Sequence, residues 1–130
     1  MQNIKGAIFD MDGTLLDSMP VWKRLTQNYL KQFDLHITDQ DFAACEGFSQ
    51  PQVADYFLKR YPQLPLTCQQ MLDGMDELIT SRYESIAKPK DGVIDFLEGL
   101  RARGIKMAIA TLTARRHAEK ALVDRDMMKY

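Results

Sequence analysis

Ile8-Phe9-Asp10-Met11-Asp12-Gly13-Thr14-Leu15-Leu16-Asp17-Ser18 decides the fold of this chain. The residues from Ile4 to Phe9 predict a buried strand, with Ala7-Ile8-Phe9 as its apolar run. The strand stops abruptly in Asp10-Met11-Asp12-Gly13-Thr14, which sets two acids in a loop at its C-terminal edge. In an open parallel α/β sheet that edge is where ligands bind. Residues two apart in an extended segment point the same way, so the carboxyls of Asp10 and Asp12 can converge on one site. Paired carboxylates suit a hard divalent cation such as magnesium. They can also divide labour as nucleophile and proton donor, provided their surroundings pull their pKa values apart. Gly13 permits a tight turn with backbone N–H groups facing an anion. Taken alone, an acidic turn with a fortuitous cation site explains these residues equally well. An EF-hand does not, because its loop spaces Gly and Glu differently.

Working outward, the chain from 19 to 87 is helical in pattern. Ser18 and Pro20 open a segment striped by Val21, Trp22, Leu25, Tyr29, Leu30 and Phe33. Thr38 can cap a short helix, and Glu46-Gly47-Phe48 breaks the pattern. Ser49 with Gln52, and Thr67 with Gln70, have capping-box spacing. Pro62 and Pro65 separate the two helices so begun. The second carries Met71, Leu72, Met75, Leu78, Ile79, Tyr83 and Ile86 on one face. After Lys88-Pro89-Lys90, Asp91 is placed to cap a helix that stops at Gly104. Ile105 to Ala110 predicts a second strand, followed by Thr111-Leu112-Thr113 and a last helix from about Ala114. Thr113 reads as that helix's cap. The order predicts an α/β core, residues 1–18 and 88–130, with an all-helical insertion at 19–87.

The chain has 130 residues, 45% hydrophobic and 27% charged, which is a globular composition. A net charge of −1 gives no broad attraction to nucleic acid or an anionic membrane. No apolar run approaches the roughly 18 residues of a membrane span. Cys45 and Cys68 form neither a metal-ligand pattern nor a disulfide framework. They read as small buried or half-buried side chains in a cytoplasmic protein.

The apolar run followed by DxDGTLxDS resembles the first motif of the haloacid dehalogenase superfamily of phosphatases and phosphomutases. Members with an α-helical cap insert it directly after this motif, where 19–87 lies here. Lys106-Met107-Ala108-Ile109-Ala110-Thr111 resembles the second motif, a strand ending in Thr or Ser. The resemblance implies a HAD-like Rossmannoid parallel-sheet core and a magnesium-dependent phosphatase acting through an aspartyl-phosphate. It implies that Asp10 is the nucleophile and a metal ligand. Asp12 would be the general acid–base, its backbone carbonyl completing its part of the metal site. Gly13, Thr111 and the N–H of Leu112 would hold the phosphoryl group. The implied partner is a small phosphorylated metabolite, with the full-length enzyme a monomer or weak homodimer.

Two family motifs have no counterpart: a Lys beside the nucleophile, and a later pair of acids for the metal. Lys129, Asp124 and Asp126 come too early, and the last two read as helical. The chain therefore looks like the N-terminal part of a longer enzyme, and alone it is expected to turn over little. A sugar phosphomutase of the β-phosphoglucomutase type is the alternative. It needs a cap His and a cap-loop Arg where this chain has Trp22 and Ser49-Gln50. A binding module without turnover is a further alternative. Glu46-Gly47-Phe48-Ser49-Gln50 resembles the cap loop that reaches toward the nucleophile, and is also an ordinary interhelical turn. Arg115, Arg116 and His117 read as surface residues, and His36 has no role.

Overall fold

A computed structural model describes residues 3–83 and 87–130, the side chain of residue 83 excepted. Ile86, expected on the apolar helix face, lies outside the described residues. Strand β1 (Gly6–Phe9) is followed by helices α1 (Met19–Lys31), α2 (Asp39–Ala44), α3 (Gln50–Arg60) and α4 (Cys68–Leu78). A π-helical turn, Ile79–Tyr83, continues α4. Then come α5 (Val93–Ala102), β2 (Lys106–Ile109) and α6 (Arg115–Asp124).

The two strands pair in parallel, Gly6 opposite Lys106 through Phe9 opposite Ile109. Both are shorter than the sequence predicts, and β1 is not buried on both faces. Phe9, Met107 and Ile109 pack inward, while Ile8 on the opposite face is 76% exposed. The α/β reading holds, with a parallel pair as the sheet among the described residues.

Two apolar clusters form. One joins the sheet to the site loop, the start of α1, α5 and α6 through Met11, Leu16, Val21, Leu97, Ala121 and Leu122. The other lies within the helical block, around Leu30, Ala54, Phe57, Met71 and Met75, with Leu35 and Leu64 added from its loops. Full burial of each such large side chain is worth about 1.5–3 kcal/mol. The strands of chain that enter and leave the helical block run side by side. Asp17 N–H donates to the Lys88 carbonyl at 2.7 Å, and Lys90 N–H to that of Leu15 at 2.9 Å.

The helix ends show which capping expectations hold. Thr67 and Gln70 make the reciprocal box, Gln70 N–H to Thr67 Oγ1 at 3.2 Å and Thr67 N–H to Gln70 Oε1 at 2.9 Å. At α3, Gln52 Oε1 accepts from the Ser49 N–H at 2.8 Å. Thr38 caps α2, but its reciprocal partner is Asp41. Asp91 does not cap α5. Val93 N–H donates to the Lys90 carbonyl at 3.1 Å, and Gly92 takes φ +81° as the third residue of that turn. Helix α5 closes as expected at Gly104: Gly104 N–H reaches the Arg101 carbonyl and Ile105 N–H that of Leu100. Helix α6 closes the same way, with Asp126 in the left-handed position at φ +54°, so Asp126 is past the helix and only Asp124 within it. Lys129 pairs with Asp126 at 2.7 Å. Cys45 is half-buried as expected, whereas Cys68, on the first turn of α4, is exposed.

Candidate active site

The parallel register brings together residues a hundred positions apart. Ala110 N–H donates to the Phe9 carbonyl at 2.9 Å, so Asp10 and Thr111 leave the sheet side by side. Asp10, Asp12, Thr111, Leu112 and Thr113 line one cleft of about 750 Å³.

Asp12 is the fixed carboxylate. Its Oδ1 accepts from Ser18 Oγ at 2.5 Å and from the Trp22 indole N–H at 3.1 Å. Its Oδ2 accepts from Thr113 Oγ1 at 2.5 Å. Two expectations change here. Thr113 does not cap α6, whose N-cap is Ala114, because its hydroxyl is turned to Asp12. Ser18 precedes α1 but makes no cap bond with its side chain, for the same reason. Trp22 lines the cleft and holds the acid. A hydroxyl both donates and accepts, so Thr113 can hold Asp12 in one place as carboxylate or as acid. The sequence signal for Ser18 lay in the motif itself. Thr113 carried none, since a Thr before a helix suggests a cap.

Asp10 is exposed, with Oδ2 accepting from Thr14 Oγ1 at 3.1 Å. It lines the cleft at the sheet edge. Thr111 Oγ1 accepts from the Thr113 N–H at 3.1 Å, which leaves its hydroxyl hydrogen to donate elsewhere. Leu112 is 62% exposed beside it. Gly13 departs from expectation. Its φ of +77° makes the turn, but its N–H donates to the Leu16 carbonyl at 2.8 Å and so is not turned to an anion. A Cβ there would meet Met19 Cγ at 2.9 Å.

The carboxylate of Asp10 and the main-chain oxygen of Asp12 are hard donors of the type magnesium takes. Among the described residues, no group of three or more His, Cys, Asp or Glu gathers to hold a metal. The two acids fit such an ion in chemistry and would supply only part of its shell.

Two features beyond the motif shape the site. His117, read from the sequence as a surface residue, is 2% exposed. Its Nε2 lies 2.7 Å from Asp76 Oδ1, and Arg116 also pairs with Asp76. The His117 imidazole beside it, opposed by burial and aided by Arg116, holds the Asp76 carboxyl below the usual carboxylate range. This ties α6, which follows the Thr111–Thr113 segment, to α4 of the helical block. Arg115 is the surface charge expected, paired with Glu119 at 2.6 Å. The second feature is Asp41, 1% exposed. Tyr61 donates to it at 2.6 Å, Tyr56 at 2.9 Å, and the Thr38 N–H and hydroxyl at 2.9 Å each. Burial alone would raise its pKa. The bonds from Tyr61, Thr38 and Tyr56 outweigh that and hold it at about 2. Asp41 thereby pins α2 to α3, on either side of the Glu46–Gln50 segment that lines the cleft. A buried Asp gave no sign in sequence because α2 is too short to show a face.

Among the described residues no helix is long and apolar enough to cross a membrane. The profile of the family described as haloacid dehalogenase-like hydrolase matches residues 7–130. A curated relative, the phosphorylated carbohydrates phosphatase of Thermotoga maritima, is 27% identical over 98% of this chain and 58% of its own length. Among solved structures, CbbY from Rhodobacter sphaeroides, in complex with phosphate, superposes with a TM-score of 0.78 at 19% identity, over 95% of this chain and 58% of that one. A family IA, variant 3 HAD hydrolase from Entamoeba histolytica gives 0.78 at 18%, over 98% and 57%. These likenesses show the fold. The chain spans somewhat under three-fifths of the length of the relatives it matches.

Proposed function

The chain belongs to the haloacid dehalogenase-like hydrolase family, and from that membership and the site geometry we propose that it carries the phosphoryl-accepting half of a phosphatase for small phosphorylated metabolites of the cytosol. The observation that supports this most is the convergence of Asp10, Asp12 and Thr111 on one cleft through the parallel register of β1 and β2.

In this reading an Asp10 carboxylate oxygen attacks phosphorus, a P–O(Asp10) bond forms and the P–O bond to the leaving group breaks. Asp12 gives its proton to the departing oxygen, then takes one from the water that hydrolyses the aspartyl-phosphate. Ser18, Trp22 and Thr113 keep Asp12 in place through both steps. Thr111 donates its hydroxyl to a phosphoryl oxygen. The Asp10 carboxylate and the Asp12 carbonyl would hold magnesium, which supplies neutralisation of phosphoryl charge. Within the expected insertion 19–87, the described helices between 19 and 83 form a cap over this cleft, hinged where residues 15–17 run beside 88–90. The phosphomutase alternative shares this fold; the phosphatase reading is preferred because Trp22, bonded to Asp12, stands where the mutase type has a cap His.

The test is incubation with acetyl phosphate and magnesium, reduction with borohydride and peptide mapping. In the full-length enzyme the reduction releases phosphate and turns residue 10 into homoserine, labelled with tritium from the borohydride; that label, absent from Asp10→Asn, is expected. Labelling elsewhere, or none in the wild type, overturns the reading.

A further inference from the structure

Helix α6 begins without a capping side chain. Its N-cap is Ala114, and the hydroxyl of Thr113 just before it is spent on Asp12 Oδ2 at 2.5 Å. The first turn closes on the Ala114 carbonyl, which accepts from the N–H groups of His117 at 3.0 Å and Ala118 at 3.1 Å. An uncapped helix start frays unless tertiary contacts hold it. Here the side chain of His117 supplies such a contact. It is 2% exposed, and its Nε2 lies 2.7 Å from Asp76 Oδ1 on the last turn of α4. Arg116 reaches the same oxygen, but its side chain is 66% exposed, and a solvated pair is worth little.

Asp76 stands where the two parts of the molecule meet. Leu78, two positions on, packs against both apolar clusters, and Ile79 is buried in the sheet-side one. The end of α4 is therefore the joint between helical block and core, and Asp76 is a polar tie across it. From there a short covalent path leads into the site. His117 and Ala114 share one turn, and Ala114 follows Thr113. Thr113 holds Asp12 through its hydroxyl and Thr111 Oγ1 through its N–H at 3.1 Å. An apolar residue at 117 would fill the space equally well. A hydrogen bond adds a fixed direction, which packing alone lacks.

We propose that Asp76 is a positioning residue: acting through His117, it sets the first turn of α6 and thereby the Thr111–Thr113 segment, so that the phosphate end of the site stays in register with the helical block. This rests on the phosphatase reading, which assigns phosphate to that segment, and adds to it a pair that does not itself line the cleft.

The test uses the full-length enzyme, with hydrolysis of p-nitrophenyl phosphate and inhibition by inorganic phosphate as paired readouts. Asp76→Ala and His117→Leu should each raise the inhibition constant for phosphate and lower kcat/KM by about tenfold, the scale of one hydrogen bond to a charged group. The double variant should lie within about twofold of either single one, because both remove the same contact. His117→Gln, whose amide nitrogen can reach the place of Nε2, should stay within about threefold of the wild type. Asp76 is part-exposed on a helix, where Ala is well tolerated, so Asp76→Ala carries the test if His117→Leu does not fold. Lower melting temperatures with an unchanged phosphate constant would mean that the pair is packing alone and overturn the proposal, as would effects that multiply in the double variant. Neither outcome touches the phosphatase reading. A wild-type enzyme that neither hydrolyses the ester nor binds phosphate overturns that reading and this proposal with it.

Discussion

Replacing Asp41 by Asn tests whether the helical side of the cleft is held by a buried charge. The amide keeps the shape but turns one acceptor oxygen into a donor. That donor would face either the Tyr56 hydroxyl on Oδ1 or the Tyr61 and Thr38 groups on Oδ2. The structure sets the magnitude. The carboxyl falls from an ordinary 3.8 to about 2 on folding. At ~1.4 kcal/mol per pH unit, the ionised form is worth about 2 kcal/mol of stability. Because the folded pKa is depressed, that stability is fully present above 3.8 and is lost as pH falls through about 2. With roughly 2 cal/mol/K of unfolding entropy per residue, Asp41→Asn should lower Tm by about 7 °C at pH 7. About half of the difference should be gone by pH 3. Circular dichroism melts of both proteins at pH 7, 5, 4 and 3 measure it. Equal Tm values at pH 7, or a gap that stays constant down to pH 3, would refute the account of Asp41 as an ionised, hydrogen-bonded pin.

Two further outcomes are expected. Thr113→Val keeps side-chain shape but removes the hydroxyl on Asp12 Oδ2, so in the full-length enzyme kcat for p-nitrophenyl phosphate should fall roughly ten- to a hundredfold with KM little changed, and Thr113→Ser should restore it. Damage from Ser with none from Val would mean that the methyl group, not the hydroxyl, matters. Gly74→Ala places a Cβ 2.4 Å from Tyr29 Cε2, on a ring that is itself buried against the helical core, so overpacking of about 1–3 kcal/mol should appear in urea unfolding. An unchanged midpoint would show that the Tyr29 ring yields freely.

What the amino-acid order determines by itself is local. The apolar run ending in Asp10-Met11-Asp12-Gly13-Thr14 names the strand, the loop and the chemistry of its acids. Capping pairs such as Thr67 with Gln70 set helix starts, because their bonds close within three residues. Gly104 sets a stop for the same reason. Asp91 misled because a turn with Gly92 at positive φ competes with side-chain capping over an equally short span. The tertiary structure decided everything that depends on which distant group a side chain meets. Thr113 looks like a cap until the register of β1 and β2 lays it against Asp12. His117 looks solvated until α6 packs against the helical block and buries it on Asp76. A hydrogen bond is satisfied by whichever partner lies within about 3 Å, and at long sequence separation only the packed chain says which one that is.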